Sequence, residues 1–180
     1  MSAKGQAEER TVTFKGNPLH LSGTAVREGD SAPDFRAVNG ELKPVQLGDY
    51  RGRVLVLVAV PSLDTPVCDL ESRKFNEKAA GMGEGVKVLV ISMDLPFAQK
   101  RWCGAHGIKN LETLSDYQFR SFGRNYGVLI EELGLLARSV FVVDRDGLVQ
   151  YIQVVPEITE EPDYGAVLSA VAKVAAKQGR

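Results

Sequence analysis

The chain has few of the residues that mark several protein classes, with two cysteines, two histidines and one tryptophan among 180 residues. Lysine and arginine number 22 against 23 acidic residues, and they form no basic stripe, so no nucleic-acid partner is expected. The longest apolar run, residues 54–60, is far shorter than the roughly 20 residues that span a bilayer, so no membrane partner is expected. Two cysteines cannot staple a domain of this size, and a cytosolic pair is more often catalytic, redox-sensing or buried.

The N-terminal segment MSAKGQAEER is polar and lacks the apolar stretch of a secretory signal. We therefore expect residues 1–10 to form a disordered tail and the protein to be cytoplasmic. The remainder, residues 11–180, has the size of a single domain, and its hydrophobic fraction of 44% and charged fraction of 25% are those of a globular protein.

Two apolar runs rich in β-branched residues, 54–60 and 86–92, predict strands buried on both faces, and residues 67–80 between them have helical composition. This strand, helix and strand form a βαβ unit with an expected right-handed crossover. The other predicted elements are an N-terminal hairpin (11–14 and 19–21), extended pieces (32–35 and 45–47), a polar loop (48–52), helices (97–106 and 118–126), an antiparallel pair joined by an Asp-Gly turn (139–143 and 148–155), and an amphipathic C-terminal helix that starts at Pro162. Together they predict an α/β, thioredoxin-like three-layer fold with a central mixed sheet flanked by helices.

Cys68 follows the first buried strand and should lie in the first turn of the next helix. Free backbone N–H groups and the helix macrodipole stabilise a thiolate there. Keeping a thiol mainly ionised at neutral pH requires roughly 3 to 4 kcal/mol, whereas a helix dipole supplies about 0.3 to 1 kcal/mol. A cation or hydrogen-bond donor is therefore needed as well, and the hydroxyl of Thr65, three residues earlier, is within reach.

The second cysteine, Cys103, lies 103 minus 68, or 35, residues downstream of Cys68. The local spacing is Thr-x-x-Cys and not Cys-x-x-Cys, so the partner sulfur cannot come from the same turn. Each cysteine alone could also be a small buried hydrophobic residue. The strand-to-helix position of Cys68 favours a functional role.

These residues and other motifs resemble bacterial thiol peroxidases of the atypical two-cysteine peroxiredoxin family, from about residue 12 to the C-terminal helix. The motifs are Val-Thr-Phe-Lys-Gly-Asn-Pro at 12–18, Pro-Ser-Leu-Asp-Thr-Pro-Val-Cys at 61–68, Arg-Lys-Phe-Asn at 73–76, Asp-Leu-Pro-Phe-Ala-Gln at 94–99 with Cys-Gly at 103–104, and Glu-Glu-Pro-Asp-Tyr at 160–164.

The resemblance implies that Cys68 is the peroxidatic cysteine, Thr65 its hydroxyl partner, Cys103 the resolving cysteine and Arg138 the active-site arginine. It implies reduction of hydrogen peroxide and of organic or lipid hydroperoxides through a Cys68 sulfenic acid and a Cys68 to Cys103 disulfide. Thioredoxin would recycle the disulfide, the protein would be a homodimer, and no metal, flavin or nicotinamide cofactor is needed. Disulfide formation brings Cα atoms within roughly 7 Å, so local unwinding near either cysteine is expected.

Other interpretations of the same residues remain open. Cys68, Cys103, His106 and His20 could form a metal site, although tetrahedral sites usually show tighter spacing. Arg138, without the family match, would be a solvated arginine at a strand edge. A general thiol-disulfide oxidoreductase would reduce protein disulfides without consuming peroxide, and a redox sensor would form the disulfide without efficient recycling.

Three further polar residues lie beside the cysteines and receive no role at this point. Asp69 and Glu71 either favour the helix N-terminus or, if they face the sulfur, oppose thiolate formation. His106, three residues after Cys103, is expected to be solvated.

Overall fold

The computed structural model describes residues 9–178, so residues 1–8 of the expected disordered tail lie outside the described residues. Arg10 is anchored, because its guanidinium donates hydrogen bonds to the backbone carbonyls of Gly127 (2.8 Å) and Gly23 (3.1 Å). Within the described range, none of the helices is both long and apolar enough to traverse a bilayer.

Eleven strands, four α-helices and one short 3-10 helix make up residues 9–178. The strands are β1 (Thr11–Phe14), β2 (Asn17–Ser22), β3 (Arg36–Val38), β4 (Pro44–Gln46), β5 (Val54–Ala59), β6 (Val86–Ser92), β7 (Glu112–Ser115), β8 (Leu129–Ile130), β9 (Leu135–Leu136), β10 (Ser139–Val143) and β11 (Val149–Val154). The helices are α1 (Pro66–Ala79), α2 (Pro96–His106), α3 (Ser121–Asn125) and α4 (Tyr164–Gln178), and the 3-10 helix is Leu47–Tyr50.

The central sheet has seven strands in the order β11-β10-β5-β6-β7-β3-β4. Strands β5, β6 and β7 are parallel, and all other neighbours are antiparallel. Every residue of β5 is buried, as its apolar run predicts for a strand covered on both faces. The fold class of a mixed sheet flanked by helices is therefore confirmed.

Alternate residues of the sheet face two separate hydrophobic clusters. One face, with Val56 and Val58 of β5, packs against α1, α2 and α4. Cys68 belongs to this cluster, and the partly buried Cys103 packs against it. The other face, with Leu57 of β5, packs against α3 and a small second sheet. Both cysteines are thus held on the three-helix side.

The N-terminal hairpin β1-β2 is present, but it belongs to a four-stranded sheet in the order β1-β2-β8-β9. Strands β8 and β9 were not predicted, because two-residue strands carry no readable alternation. Strand β7 was also missed, since Glu112–Ser115 has only four residues and polar ends.

Several predicted boundaries were wrong. The polar loop at 48–52 is largely the 3-10 helix. The extended piece predicted at 45–47 is strand β4, shifted by one residue, whereas the piece predicted at 32–35 is replaced by β3, which begins at Arg36. The helix predicted at 118–126 has only five residues. Helix α4 begins at Tyr164 and not at Pro162, because the Asp163 carboxylate accepts the backbone N–H of Ala166 and caps the first turn.

Candidate active site

Cys68 lies in the first turn of α1, where Pro66 occupies the first helical position. Its side chain is fully buried at 0% exposure. The segment that leads into it follows β5, so the sulfur sits beyond the carboxyl end of a central parallel strand, as the sequence predicts. The helix N-terminus thus supplies the first electrostatic stabilisation for a thiolate.

Arg138 supplies the cation that is needed beside Cys68, because a helix dipole alone stabilises a thiolate too weakly. It directly precedes β10, and its Nη2 donates to the Cys68 Sγ at 3.3 Å. Nε and Nη2 also donate to the carbonyl of Ile158 at 3.1 and 2.7 Å. Arg138 is 1% exposed, so the interpretation as a solvated strand-edge arginine is wrong.

Glu71 is the buried counter-ion of Arg138 and was not assigned a role from the sequence. Its Oε2 accepts a hydrogen bond from Arg138 Nη1, and the side chain is fully buried. Burial raises the pKa of Glu71 to about 7, although Arg138 lowers it. Burial also lowers the pKa of Arg138, but the Glu71 carboxylate and the Cys68 sulfur raise it above its ordinary value, so the guanidinium stays charged.

Thr65 caps the start of α1 with its backbone, and Asp69 N–H donates to its carbonyl at 3.0 Å. Its hydroxyl donates to the carbonyl of Ser62 at 2.9 Å, and among residues 9–178 no hydrogen bond joins Thr65 to the Cys68 sulfur. Because that donation uses the hydroxyl proton, the oxygen lone pairs of Thr65 remain available to accept a hydrogen bond.

Asp94 anchors the loop that carries Thr65, a role that sequence reasoning missed. Its carboxylate accepts hydrogen bonds from the Ser62 hydroxyl (2.7 Å), the Leu63 backbone N–H (2.8 Å) and the Ser92 hydroxyl (2.7 Å). Ser62 and Asp94 follow the adjacent parallel strands β5 and β6, whose carboxyl ends lie at the same edge of the sheet. Their positions after two buried strands in the sequence were the signal from which this contact could have been predicted.

Cys103 lies on α2 and has a neutral environment, unlike Cys68. It is partly exposed, and its Sγ lies 3.6 Å from the Thr113 hydroxyl. Burial raises the pKa of the Cys103 thiol, and the Thr113 contact only partly offsets this rise. Both cysteines are free and contact the same hydrophobic cluster. Their polar neighbours differ, because the Cys68 sulfur contacts a charged guanidinium and the Cys103 sulfur contacts a hydroxyl.

Asp69 and His106 contact each other, and their partners among residues 9–178 are groups other than the Cys68 sulfur. Asp69 Oδ1 lies 3.2 Å from His106 Nε2 and accepts a hydrogen bond from Trp102 Nε1 at 2.8 Å. The expectation of a merely solvated His106 is therefore incomplete. His20 pairs with acidic residues on the small sheet, and no cluster of three or more metal-ligating side chains occurs in the described part of the chain.

Comparison with known proteins agrees with this arrangement. The family described as Redoxin matches residues 27–168. A thiol peroxidase of Clostridium acetobutylicum is 55% identical over 159 residues, covering 88% of this chain and 96% of that protein. A thiol peroxidase of Halalkalibacterium halodurans is 52% identical over 160 residues, covering 89% and 96%. The crystal structure of a peroxiredoxin-like protein from Aquifex aeolicus has a TM-score of 0.86 and 49% identity, with coverage of 92% and 97%.

The chain therefore belongs to the Redoxin family and, within it, to the thiol peroxidases. The resemblance stated from the sequence motifs is confirmed, and so is the thiol-dependent peroxidase activity that it implies.

Proposed function

We propose that Cys68 is the nucleophile that reduces hydrogen peroxide and organic or lipid hydroperoxides, and that Cys103 is the thiol that resolves the product. The observation that carries this proposal is the 3.3 Å hydrogen bond from Arg138 to the sulfur at the N-terminus of α1. A fixed, charged donor and a helix N-terminus both stabilise negative charge at that sulfur. Cys103 has neither, since its neighbour is a hydroxyl.

In the first step the Cys68 thiolate attacks one peroxide oxygen and the O–O bond breaks. The attacked oxygen stays on the sulfur with its hydrogen, so Cys68 becomes a sulfenic acid. The other oxygen leaves as hydroxide or alkoxide and takes a proton from solvent, which gives water or an alcohol. Arg138 donates toward the developing charge, and the Thr65 hydroxyl oxygen accepts a hydrogen bond from the peroxide O–H. In the second step the Cys103 thiol attacks the sulfenic acid, the disulfide forms and water leaves.

Thioredoxin completes the cycle by thiol-disulfide exchange, which returns both cysteines to thiols. A cytoplasmic location is part of the same proposal, because reductants there keep cysteines reduced and can return the Cys68 to Cys103 disulfide to thiols. No residue is required to hold a cofactor in this cycle, because both electrons come from cysteine sulfur.

A homodimer is also proposed, and exposed apolar side chains support it. Leu95 and Phe97 at the start of α2 are 51% and 68% exposed, and Tyr117 is 38% exposed. These residues follow the paired parallel strands β6 and β7, whose ends align at Ser92 and Ser115. The three side chains thus share one edge of the molecule, near the α2 helix that carries the resolving thiol.

The test is a coupled assay that follows NADPH loss with thioredoxin, thioredoxin reductase and cumene hydroperoxide. We expect turnover by the wild type, no turnover by Cys68→Ser, and strongly reduced turnover by Cys103→Ser. Full activity of Cys68→Ser would contradict the assignment of the nucleophile. Hydrogen peroxide in place of cumene hydroperoxide tests the breadth of the substrate class.

A further inference from the structure

One carboxylate connects the two helices that carry the cysteines. Asp69 on α1 accepts a hydrogen bond from Trp102 Nε1 on α2, with 2.8 Å between the heavy atoms. Asp69 directly follows Cys68, and Trp102 directly precedes Cys103. The contact therefore joins α1 and α2 one residue away from each cysteine.

The surroundings fix both partners of this hydrogen bond. Arg73, one turn further along α1, donates to Asp69 Oδ2 from Nε (3.1 Å) and Nη2 (2.9 Å). His106 Nδ1 lies 2.9 Å from the Trp102 carbonyl, and the two rings are 5.0 Å apart. Partial burial raises the pKa of Asp69, but the hydrogen bonds from Trp102 and Arg73 lower it below its usual value.

The two sulfurs have different neighbours in this reduced arrangement. Cys68 Sγ accepts from Arg138, whereas Cys103 Sγ lies against the hydroxyl of Thr113 on β7. A disulfide needs an S–S distance of about 2.0 Å and Cα atoms within roughly 7 Å, so at least one sulfur must leave its neighbour. Movement of either helix end changes the distance between Asp69 and Trp102.

We propose that Asp69 is a positioning residue whose hydrogen bond to Trp102 holds α1 and α2 in the reduced arrangement and slows disulfide closure. This inference rests on the proposed roles of Cys68 and Cys103. Closure joins Cys68 sulfenic acid and Cys103 thiol into a disulfide and releases water. In competition, a second hydroperoxide oxidises the sulfenic acid to sulfinic acid and is itself reduced to water or an alcohol. A slower closure gives this competing oxidation more time.

The experiment uses the full chain, reduced and then mixed rapidly with one equivalent of hydrogen peroxide. Trp102 is the only tryptophan, so its fluorescence reports the contact directly. Asp69→Ala removes the acceptor. Trp102→Phe removes the donor but keeps an aromatic ring, and its closure is followed by acid quench, thiol alkylation and mass spectrometry. Arg73→Gln is the matched control, because it removes a partner of Asp69 within α1 without cutting the link to α2.

A hydrogen bond contributes about 0.5 to 1.5 kcal/mol net, which corresponds to a rate change of about 2- to 12-fold. We expect closure to accelerate by that factor in Asp69→Ala and Trp102→Phe, and to change less in Arg73→Gln. The peroxide-dependent first phase should be retained, and less sulfinic acid should form in excess peroxide. A merely structural role would slow both phases together.

Two results overturn the inference, and they can be told apart. Disulfide formation in the wild type with unchanged or slower closure in both Asp69→Ala and Trp102→Phe rejects the role of Asp69 alone. Absence of a Cys68 to Cys103 disulfide in the wild type rejects this inference together with the proposed function. Circular dichroism of each variant before mixing establishes that it is folded.

Discussion

Arg138 and Glu71 form an ion pair that is closed to water, with 1% and 0% of their surfaces exposed. The same guanidinium donates to the Cys68 sulfur through its other nitrogen. A buried guanidinium keeps its proton, so its charge must be balanced by anions around it. Glu71 faces one terminal nitrogen of this guanidinium and the Cys68 sulfur faces the other, so the surroundings of the sulfur depend on the same buried ion pair that stabilises the fold.

Removal of Arg138 should affect stability and chemistry in separable ways. Arg138→Gln leaves the Glu71 carboxylate buried without its counter-ion, so we expect the free energy of unfolding to fall by about 3 to 5 kcal/mol. The rate constant of Cys68 with peroxide should fall at least about 100-fold, because a charged donor at the reacting centre is lost. Urea unfolding and stopped-flow oxidation measure the two quantities.

The control for this prediction is the double variant Arg138→Gln/Glu71→Gln. It removes both charges, so most of the lost stability should return, while peroxide reactivity should stay low. Recovery of the reaction rate together with stability would show that Arg138 acts only on the fold.

Glu71 should make stability depend on pH with a defined sign. Burial raises the pKa of Glu71 from 4.5 to about 7 in the folded protein, and Glu161 adds to this rise. The folded protein therefore holds this proton more tightly than the unfolded chain does. The stabilisation is complete below about pH 4.5 and is lost as the pH rises through about 7.

Glu71→Gln lacks this titration. We expect the stability of the wild type relative to Glu71→Gln to fall by on the order of 3 kcal/mol between pH 4.5 and pH 8. Denaturant unfolding across this range measures the difference, with Glu77→Gln, an exposed site on the same helix, as control. Parallel pH curves for the wild type and Glu71→Gln would contradict the assignment.

Asp94 should tune the reactivity of Cys68 without touching it. Asp94→Asn replaces one accepting oxygen and so weakens the hold on Ser62, whose carbonyl receives the Thr65 hydroxyl. Loss of about one hydrogen bond corresponds to an approximately tenfold slower reaction of Cys68 with peroxide. Stopped-flow oxidation measures it, with the exposed Asp64→Asn of the same loop as control. Equal rates in both variants would show that Asp94 has no specific effect on the reaction of Cys68 with peroxide.

The exposed apolar edge should determine the oligomeric state. Phe97→Asp places a charge at the most exposed apolar side chain of that edge, so we expect the dimer to dissociate to monomers in sedimentation velocity. Leu133→Asp is the matched control and should remain dimeric, because this 44% exposed residue lies between β8 and β9 of the separate four-stranded sheet. A dimeric Phe97→Asp protein would place the interface elsewhere.

The main strands and helices could be predicted because their sequence patterns extend over many residues. Residues 54–60 and 86–92 are apolar on both faces, and Pro66 and Pro96 mark where α1 and α2 begin. Short pieces such as β7 were not readable, because four residues with polar ends carry no periodicity and pair only through tertiary contacts.

Site residues could be predicted where they lie in a family motif. Contacts between side chains on different helices and strands could not be predicted from the sequence. Thr65, Cys68 and Arg138 follow from the family motifs, and their assigned roles stay predictions. Glu71 lies three residues after Cys68, but only the fold shows that its carboxylate meets Arg138, which is 67 residues away in sequence. The contact between Asp69 and Trp102 spans 33 residues and has no local signature.

The most direct test of the central claim is to trap the product of a single oxidation. Reduced Cys103→Ser is treated with one equivalent of hydrogen peroxide in the presence of dimedone, which labels sulfenic acids, and is then analysed by peptide mass spectrometry. We expect one dimedone adduct, located on Cys68, and a Cys68 to Cys103 disulfide in the wild type treated without dimedone. Consumption of peroxide with Cys68 left as a free thiol would contradict it.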